Sequence, residues 1–119
     1  MIKTIYVGRL DREKWIQELV TAYAMLLSQW YNLKLDIYGD GSLRDNVKEL
    51  AAAFPDQVTY HGRQHKDNIV QAWGQADFFV MPSQFLETFG LTACESLLLG
   101  TPVIASKVWG LTEFVADQL

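Results

Sequence analysis

The chain has 119 residues, 10 basic and 14 acidic, with half of them hydrophobic and a fifth charged. That composition suits one globular domain with a single core and excludes a disordered chain. The formal charge of -4 speaks against a nucleic-acid partner, which calls for a surplus of Lys and Arg.

The lone Cys94 has no partner for an intrachain disulfide, and no apolar run approaches the roughly 20 residues of a membrane span. The opening MIKTIYVGRL lacks the plan of a signal peptide. The compartment expected is the cytoplasm.

In chain order, Ile2 to Val7 is a short β-rich run ending at Gly8, which predicts a strand buried on both faces. Trp15, Leu19, Ala22, Leu26 and Trp30 then recur at helical spacing, with Asp11 as the expected cap. Leu33 to Tyr38 is the second strand, closed by Gly39-Asp40-Gly41, and Leu43, Val47, Leu50 and Ala51 form a helical stripe stopped by Pro55. Val58 to His61 is a third strand before Gly62, followed by a helix around Asp67 to Trp73. Phe78 to Met81 is a fourth strand ended by Pro82, Leu91 to Leu99 an apolar helix ended by Gly100, and Val103 to Ser106 a fifth strand. A last helix is expected over Leu111 to Asp117.

Continuous apolar strands alternating with helices predict an α/β domain: a Rossmann-like, doubly wound parallel sheet of about five strands in three α/β/α layers. Ligands of such sheets sit beyond the carboxyl ends of the strands. The loops to inspect are therefore Gly8 to Lys14, Gly39 to Ser42, Gly62 to Lys66, Pro82 to Gly90 and Ser106 to Gly110.

Two cations, Arg9 and Lys14, follow the first strand. Converging there they would hold phosphate oxygens; otherwise they are solvated surface charges. Glu87 precedes the helix that starts near Gly90, and Glu95 lies within it among Leu91, Ala93, Cys94, Leu97, Leu98 and Leu99. A carboxylate there either faces hydrogen-bond donors such as sugar hydroxyls, or points to water on one polar stripe with Thr92 and Ser96. Phe89-Gly90-Leu91 offers close backbone approach at a helix N-terminus.

Other motifs fail. Gly39-Asp40-Gly41-Ser42-Leu43-Arg44 lacks the third glycine of a dinucleotide fingerprint. His61 and His65 flank Gly62 and do not share a helix face, so no metal site is expected. Ser83 has no nucleophile-elbow context. The four tryptophans fall mostly at helical spacing and are expected in the core or at its buried edges.

The ordered set is more specific than its parts. Gly8-Arg9-Leu10 with Glu13-Lys14, Gly39-Asp40-Gly41, Gly62, Ala76-Asp77, Pro82-Ser83, Glu87-Thr88-Phe89-Gly90-Leu91 with Glu95-Ser96, Gly100-Thr101-Pro102-Val103-Ile104-Ala105-Ser106, and Gly110 with Glu113 together resemble the carboxyl-terminal domain of the group 1 (family 4) glycosyltransferases, enzymes of the GT-B fold. The resemblance covers essentially the whole chain.

The resemblance implies a retaining hexosyltransferase that moves a sugar from a nucleoside diphosphate sugar, such as a UDP- or GDP-sugar, to an acceptor hydroxyl in polysaccharide or glycolipid synthesis. Arg9, Lys14 and Glu87 would be its catalytic residues. Gly8, Arg63, Gln64, Glu87, Phe89, Gly90, Leu91 and Glu95 would bind the donor, with Arg9 and Lys14 on the diphosphate, Glu87 on the sugar and Glu95 on the ribose. No metal and no cofactor is implied.

Residues 1–119 would then be one Rossmann-like domain, ending before the family's last strand and helices and lacking the amino-terminal acceptor domain that is its partner, and so inactive alone. The full-length enzyme could associate peripherally with the inner face of the membrane. Two alternatives keep the same fold: a non-catalytic GT-B-like partner domain and a GT-B-fold sugar-nucleotide epimerase. The family usually has glycine where Trp15 and Trp109 stand, and alanine where Ser96 stands.

Overall fold

A computed structural model describes residues 1–82 and 95–105. Five strands, β1 (Ile2–Val7), β2 (Leu33–Tyr38), β3 (Val58–Gly62), β4 (Phe78–Met81) and β5 (Val103–Ala105), form one sheet in the order β3-β2-β1-β4-β5. Every pairing is parallel. Helices α1 (Ile16–Ser28), α2 (Arg44–Ala53) and α3 (Lys66–Gln75) connect the strands.

Both faces of the sheet are apolar because both are covered. Tyr6, Leu35, Ile37 and Val80 join Leu19, Tyr23 and Leu26 of α1 and Val47 and Leu50 of α2 in one buried cluster. The alternate residues Ile5, Tyr38, Phe79 and Met81 pack with Trp73 of α3 in a second. Helices thus lie on opposite faces, giving the three-layer, Rossmann-like arrangement expected from the alternating pattern.

Near the amino end of the sheet, Thr4 Oγ1 and the buried Tyr23 hydroxyl lie 2.8 Å apart. Thr4 also donates to the carbonyl of Lys34 at 2.6 Å, so the polar atoms of that core are satisfied.

Four local expectations are corrected. Asp11 does not cap a helix running through Trp15. A 3₁₀ turn (Arg12–Lys14) comes first, Trp15 takes a left-handed backbone (φ 59, ψ 37), and α1 begins only at Ile16. Trp30 is not buried: its φ is 67 and it is 92% exposed, whereas Trp73 is buried. β3 extends one residue further than expected, to Gly62, across a register shift in which Tyr60 pairs with Ile37 and Gly62 with Tyr38. Ser96 is not on a solvated stripe but fully buried. Trp109 and the helix over Leu111 to Asp117 lie outside the described residues.

Candidate functional site

The carboxyl ends of β1, β2 and β3 meet in loops joined by backbone hydrogen bonds. The N–H groups of Gly8 and Leu10 donate to the carbonyls of Tyr38 and Asp40 at 3.0 and 3.1 Å, Leu43 N–H donates to Leu10 at 2.8 Å, and Gly39 N–H donates to Gly62 at 2.9 Å. This proximity dictates glycine. A Cβ at Gly39, whose φ is +144, would collide with the carbonyl oxygen of Gly8, and one at Gly41 would lie 2.6 Å from that of Leu10.

Asp11 clamps the same junction. Its carboxylate accepts from Ser42 N–H and Ser42 Oγ, both at 3.2 Å, and pairs with Arg9 Nε at 2.8 Å. The Ser42 amide chiefly, helped by the Arg9 charge, holds this carboxyl below the usual Asp range against the opposing effect of desolvation. From beneath, the buried Tyr6 hydroxyl donates to the Arg9 carbonyl at 2.7 Å. Burial first and the Asp11 charge second push that phenol far above its usual range, so it is a donor at any working pH.

A cleft of about 390 Å³ opens over this junction, lined by Arg9, Asp40, Gly41, Arg44 and Arg63. Beside it, a hollow of about 290 Å³ has Val7, Tyr38 and Ile69 as its apolar part and Gly8, Arg9, Arg63 and Gln64 among its other lining residues. Three arginines and one aspartate therefore face the cleft, in a chain whose net charge is -4. Such a surface attracts anions.

Behind the hollow, the Tyr38 ring is stacked on His61 at 4.2 Å and 2°, and His61 Nε2 lies 2.8 Å from Asp36 Oδ1. Gln64 Nε2 donates to the His61 carbonyl at 2.9 Å, which ties the Arg63–Gln64 loop to the end of β3.

Away from the residues that line the cleft and the hollow, Glu95 lies in a helical segment described over 95–98 and is exposed. The residue after it fixes its place. Trp73 Nε1 donates to Ser96 Oγ at 2.9 Å, Ser96 Oγ donates to the Thr101 carbonyl at 2.7 Å, and Thr101 Oγ1 donates to the Trp73 carbonyl at 2.7 Å. This buried ring of three side chains fastens the segment to α3 and to the approach of β5.

Of the residues singled out from sequence, Gly8, Arg9, Arg63 and Gln64 are brought together. Lys14 ends the 3₁₀ turn, half-buried, and lines neither hollow. Glu87, Phe89, Gly90 and Leu91 lie outside the described residues. Asp40, Arg44 and Tyr38 were not singled out. For Arg44 a signal existed: it opens α2, where a cation opposes the helix dipole and so needs an anionic reason to be there. Among the described residues no group of three His, Cys, Asp or Glu could hold a metal, and no helix is long and apolar enough to cross a membrane.

Comparison with known proteins agrees with the fold. The chain is 34% identical over 117 residues to an uncharacterized glycosyltransferase of Methanocaldococcus jannaschii, a match that covers 97% of this chain and 30% of the relative. It is 36% identical over 119 residues to the D-inositol 3-phosphate glycosyltransferase of an Arthrobacter species, covering 95% and 28%. It thus spans about a third or less of the length of these curated relatives.

Among solved structures, the pneumococcal O-GlcNAc transferase GtfA in complex with UDP and GlcNAc superposes with a TM-score of 0.73 at 29% identity, over 87% of this chain and 20% of that one. The catalytic domain of the Helicobacter pylori cholesterol-α-glucosyltransferase shares the fold with a TM-score of 0.71 at 19% identity, over 88% and 64%. The sequence model of the glycosyl transferases group 1 family matches residues 2–119. On that match, and on a five-stranded parallel sheet with helices on both faces, the chain belongs to the group 1 glycosyl transferases.

Proposed function

We propose that this chain is the donor-binding domain of a retaining, family 4 glycosyltransferase, which transfers a sugar from a nucleoside diphosphate sugar to an acceptor hydroxyl. The observation that carries the reading is the arginine-lined cleft at the carboxyl ends of β1 to β3, next to a hollow with an apolar part. A nucleoside diphosphate has that same division into charged and flat apolar parts. The pneumococcal transferase that shares this fold was solved in complex with UDP and GlcNAc.

In this reading Arg9 and Lys14 hold the diphosphate and stabilise the charge that grows on it as the glycosidic bond breaks. Donors preorganised for that charge supply a large share of such a rate enhancement. Attack comes from the same face as departure, with the leaving phosphate accepting the acceptor's proton, and Glu87 positions the sugar. Glu95 takes the ribose hydroxyls. The chemistry needs neither metal nor cofactor. The other wall of the cleft is a second, acceptor-binding domain of the same protein, so this chain alone binds donor without transferring sugar. The cytoplasm is the compartment where nucleotide sugars would reach it.

Calorimetric titration with a nucleoside diphosphate and with the matching nucleoside tests the assignment. Arg9→Ala and Lys14→Ala should each weaken the diphosphate by about tenfold or more and spare the nucleoside, as loss of a charge-assisted contact does. Glu95→Ala should weaken both ligands alike. Raising salt should cost the diphosphate far more than the nucleoside. Equal diphosphate affinity with and without both cations, in folded protein, overturns the reading.

A further inference from the structure

The chain holds four arginines, and three of them, Arg9, Arg44 and Arg63, line the one cleft over the β1–β3 loop junction. They are not equally available. Arg9 is partly committed: its Nε meets Asp11 at 2.8 Å, and that carboxylate also anchors Ser42, which leaves the two terminal nitrogens of Arg9 for an anion. Arg44 meets Asp40 only at 3.4 Å through a single nitrogen, well beyond the 2.7–2.9 Å of a good charge-assisted bond. Arg63 is exposed, and its guanidinium has no hydrogen-bond or ion-pair partner among the described residues.

Three amides on the way into α2 are already engaged within the loops. Ser42 N–H is held by Asp11, Leu43 N–H by the Leu10 carbonyl and Arg44 N–H by the Gly41 carbonyl. A cation at the first position of α2 also opposes the helix dipole. Arg44 thus sits where it costs the free protein stability, on a loose partner, facing a cleft in which the single carboxylate among the described lining residues is Asp40. Guanidinium groups rather than ammonium groups face the cleft, and planar forks suit the oxygens of phosphate.

We infer that Arg44 and Arg63 form a phosphate-binding site in this cleft, with Arg9 at its inner edge and Asp40 holding Arg44 in reserve until the anion arrives. The phosphoryl group comes either from the donor's diphosphate or from a phosphate on a separate molecule. The site does not depend on the donor-binding reading, because phosphate alone suffices to test it.

The experiment is titration of the 119-residue chain with inorganic phosphate and pyrophosphate, for wild type, Arg44→Gln, Arg63→Gln and Asp40→Asn. Both arginines are exposed, so these variants keep the fold, and matching thermal melts check that. Each arginine substitution should weaken pyrophosphate by about tenfold. Asp40→Asn should tighten it several-fold, because the variant removes the competing carboxylate while its amide oxygen can still accept from Gly41 N–H. A purely structural role for Arg44 would not predict that gain.

Repeating the phosphate titration at saturating UDP separates the sources. Full competition assigns the site to the donor's diphosphate, and retained phosphate binding assigns it to a second molecule. Wild-type protein that binds neither phosphate nor pyrophosphate, or arginine variants that bind them as wild type does, overturns the inference. Arginine-dependent phosphate binding without UDP binding would overturn the donor reading and leave this site standing. UDP binding indifferent to Arg44 and Arg63, with no phosphate binding, would do the reverse.

Discussion

Two regions of the molecule, the β1–β3 flank at the cleft and the Glu95 flank on the approach to β5, are held in different ways. The β1–β3 flank is fastened by main chain to main chain, through Gly8, Leu10, Gly39 and Leu43, with Asp11 as a side-chain clamp. The Glu95 flank is fastened by side chains, through the ring of Trp73, Ser96 and Thr101. Backbone bonds do not care which side chain is present, provided nothing intrudes, so the first flank is sensitive to what is added. The second depends on three particular polar atoms, so it is sensitive to what is removed.

The largest effect should follow an addition on the first flank. Gly39→Ala would place a Cβ against the Gly8 carbonyl and leave an L-residue at φ +144. Backbone strain of this kind, with no flexible neighbour to yield, should cost about 3 kcal/mol or more. Urea denaturation should show it, and a midpoint unchanged from wild type would mean that the two loops are not interlocked.

A removal on the second flank should come next. Ser96→Ala leaves the buried Trp73 indole N–H without its acceptor, which costs about 1–3 kcal/mol. Ser96→Thr keeps the oxygen and should recover part of it. If Ser96→Ala melts like wild type, the side-chain ring does not fasten this flank.

The same contrast explains what could be read from sequence. β1, β2 and β4 lie where their apolar runs end at Gly8, Gly39 and Pro82, because a strand buried on both faces writes its bounds into consecutive residues. The glycines of the first flank were legible only as strand ends, because the approach of Gly39 and Gly41 to the Gly8 and Leu10 carbonyls is a tertiary fact. Ser96 was not legible. A serine between Glu95 and Leu97 looks like a solvated stripe, and its partner Trp73 is 23 residues away.

Arg44 was missed because membership of the cleft depends on the loops after β1 and β2 meeting, a tertiary fact. The resemblance leads one to expect glycine at Trp15, and Trp15 does adopt the left-handed backbone that glycine takes without strain. Much of the proposed sugar contact, Glu87 with Phe89, Gly90 and Leu91, lies outside the described residues.

Acid should weaken the first flank through Asp11, which an Asp11→Asn variant isolates. The folded-state Asp11 carboxyl titrates below its ordinary range, so its contribution to stability is fully present above the unfolded value near pH 4. That contribution is lost as pH falls through the depressed folded value. The difference in urea midpoint between wild type and Asp11→Asn should hold steady from pH 7 to about pH 5. It should then shrink toward pH 2. A difference that stays constant down to the lowest pH would show that Asp11 does not clamp the junction through its charge.

The smallest effects test the two ends of α1, both of which place a tryptophan in the left-handed region. Trp30 follows the C-cap residue Gln29. Trp30 N–H donates to the Leu27 carbonyl and Tyr31 N–H to that of Leu26, the helix-ending motif in which glycine is the usual residue. Its side chain is 92% exposed and has little packing to lose. Trp30→Gly relieves about 1–2 kcal/mol of left-handed strain and gives back about 0.4–1 kcal/mol through a freer unfolded chain. A net stabilisation of roughly 0.5–1 kcal/mol should result. Trp15 carries the same backbone strain but is half-buried beside the β1–β3 flank. Trp15→Gly therefore also loses about 1 kcal/mol of side-chain burial and should come out near neutral. The informative quantity is the difference between the two variants, measured by denaturation under one set of conditions. Equal stabilisation by both would mean that the Trp15 side chain adds nothing to the flank it borders, and destabilisation by Trp30→Gly would mean that its exposed ring has a contact still to be found.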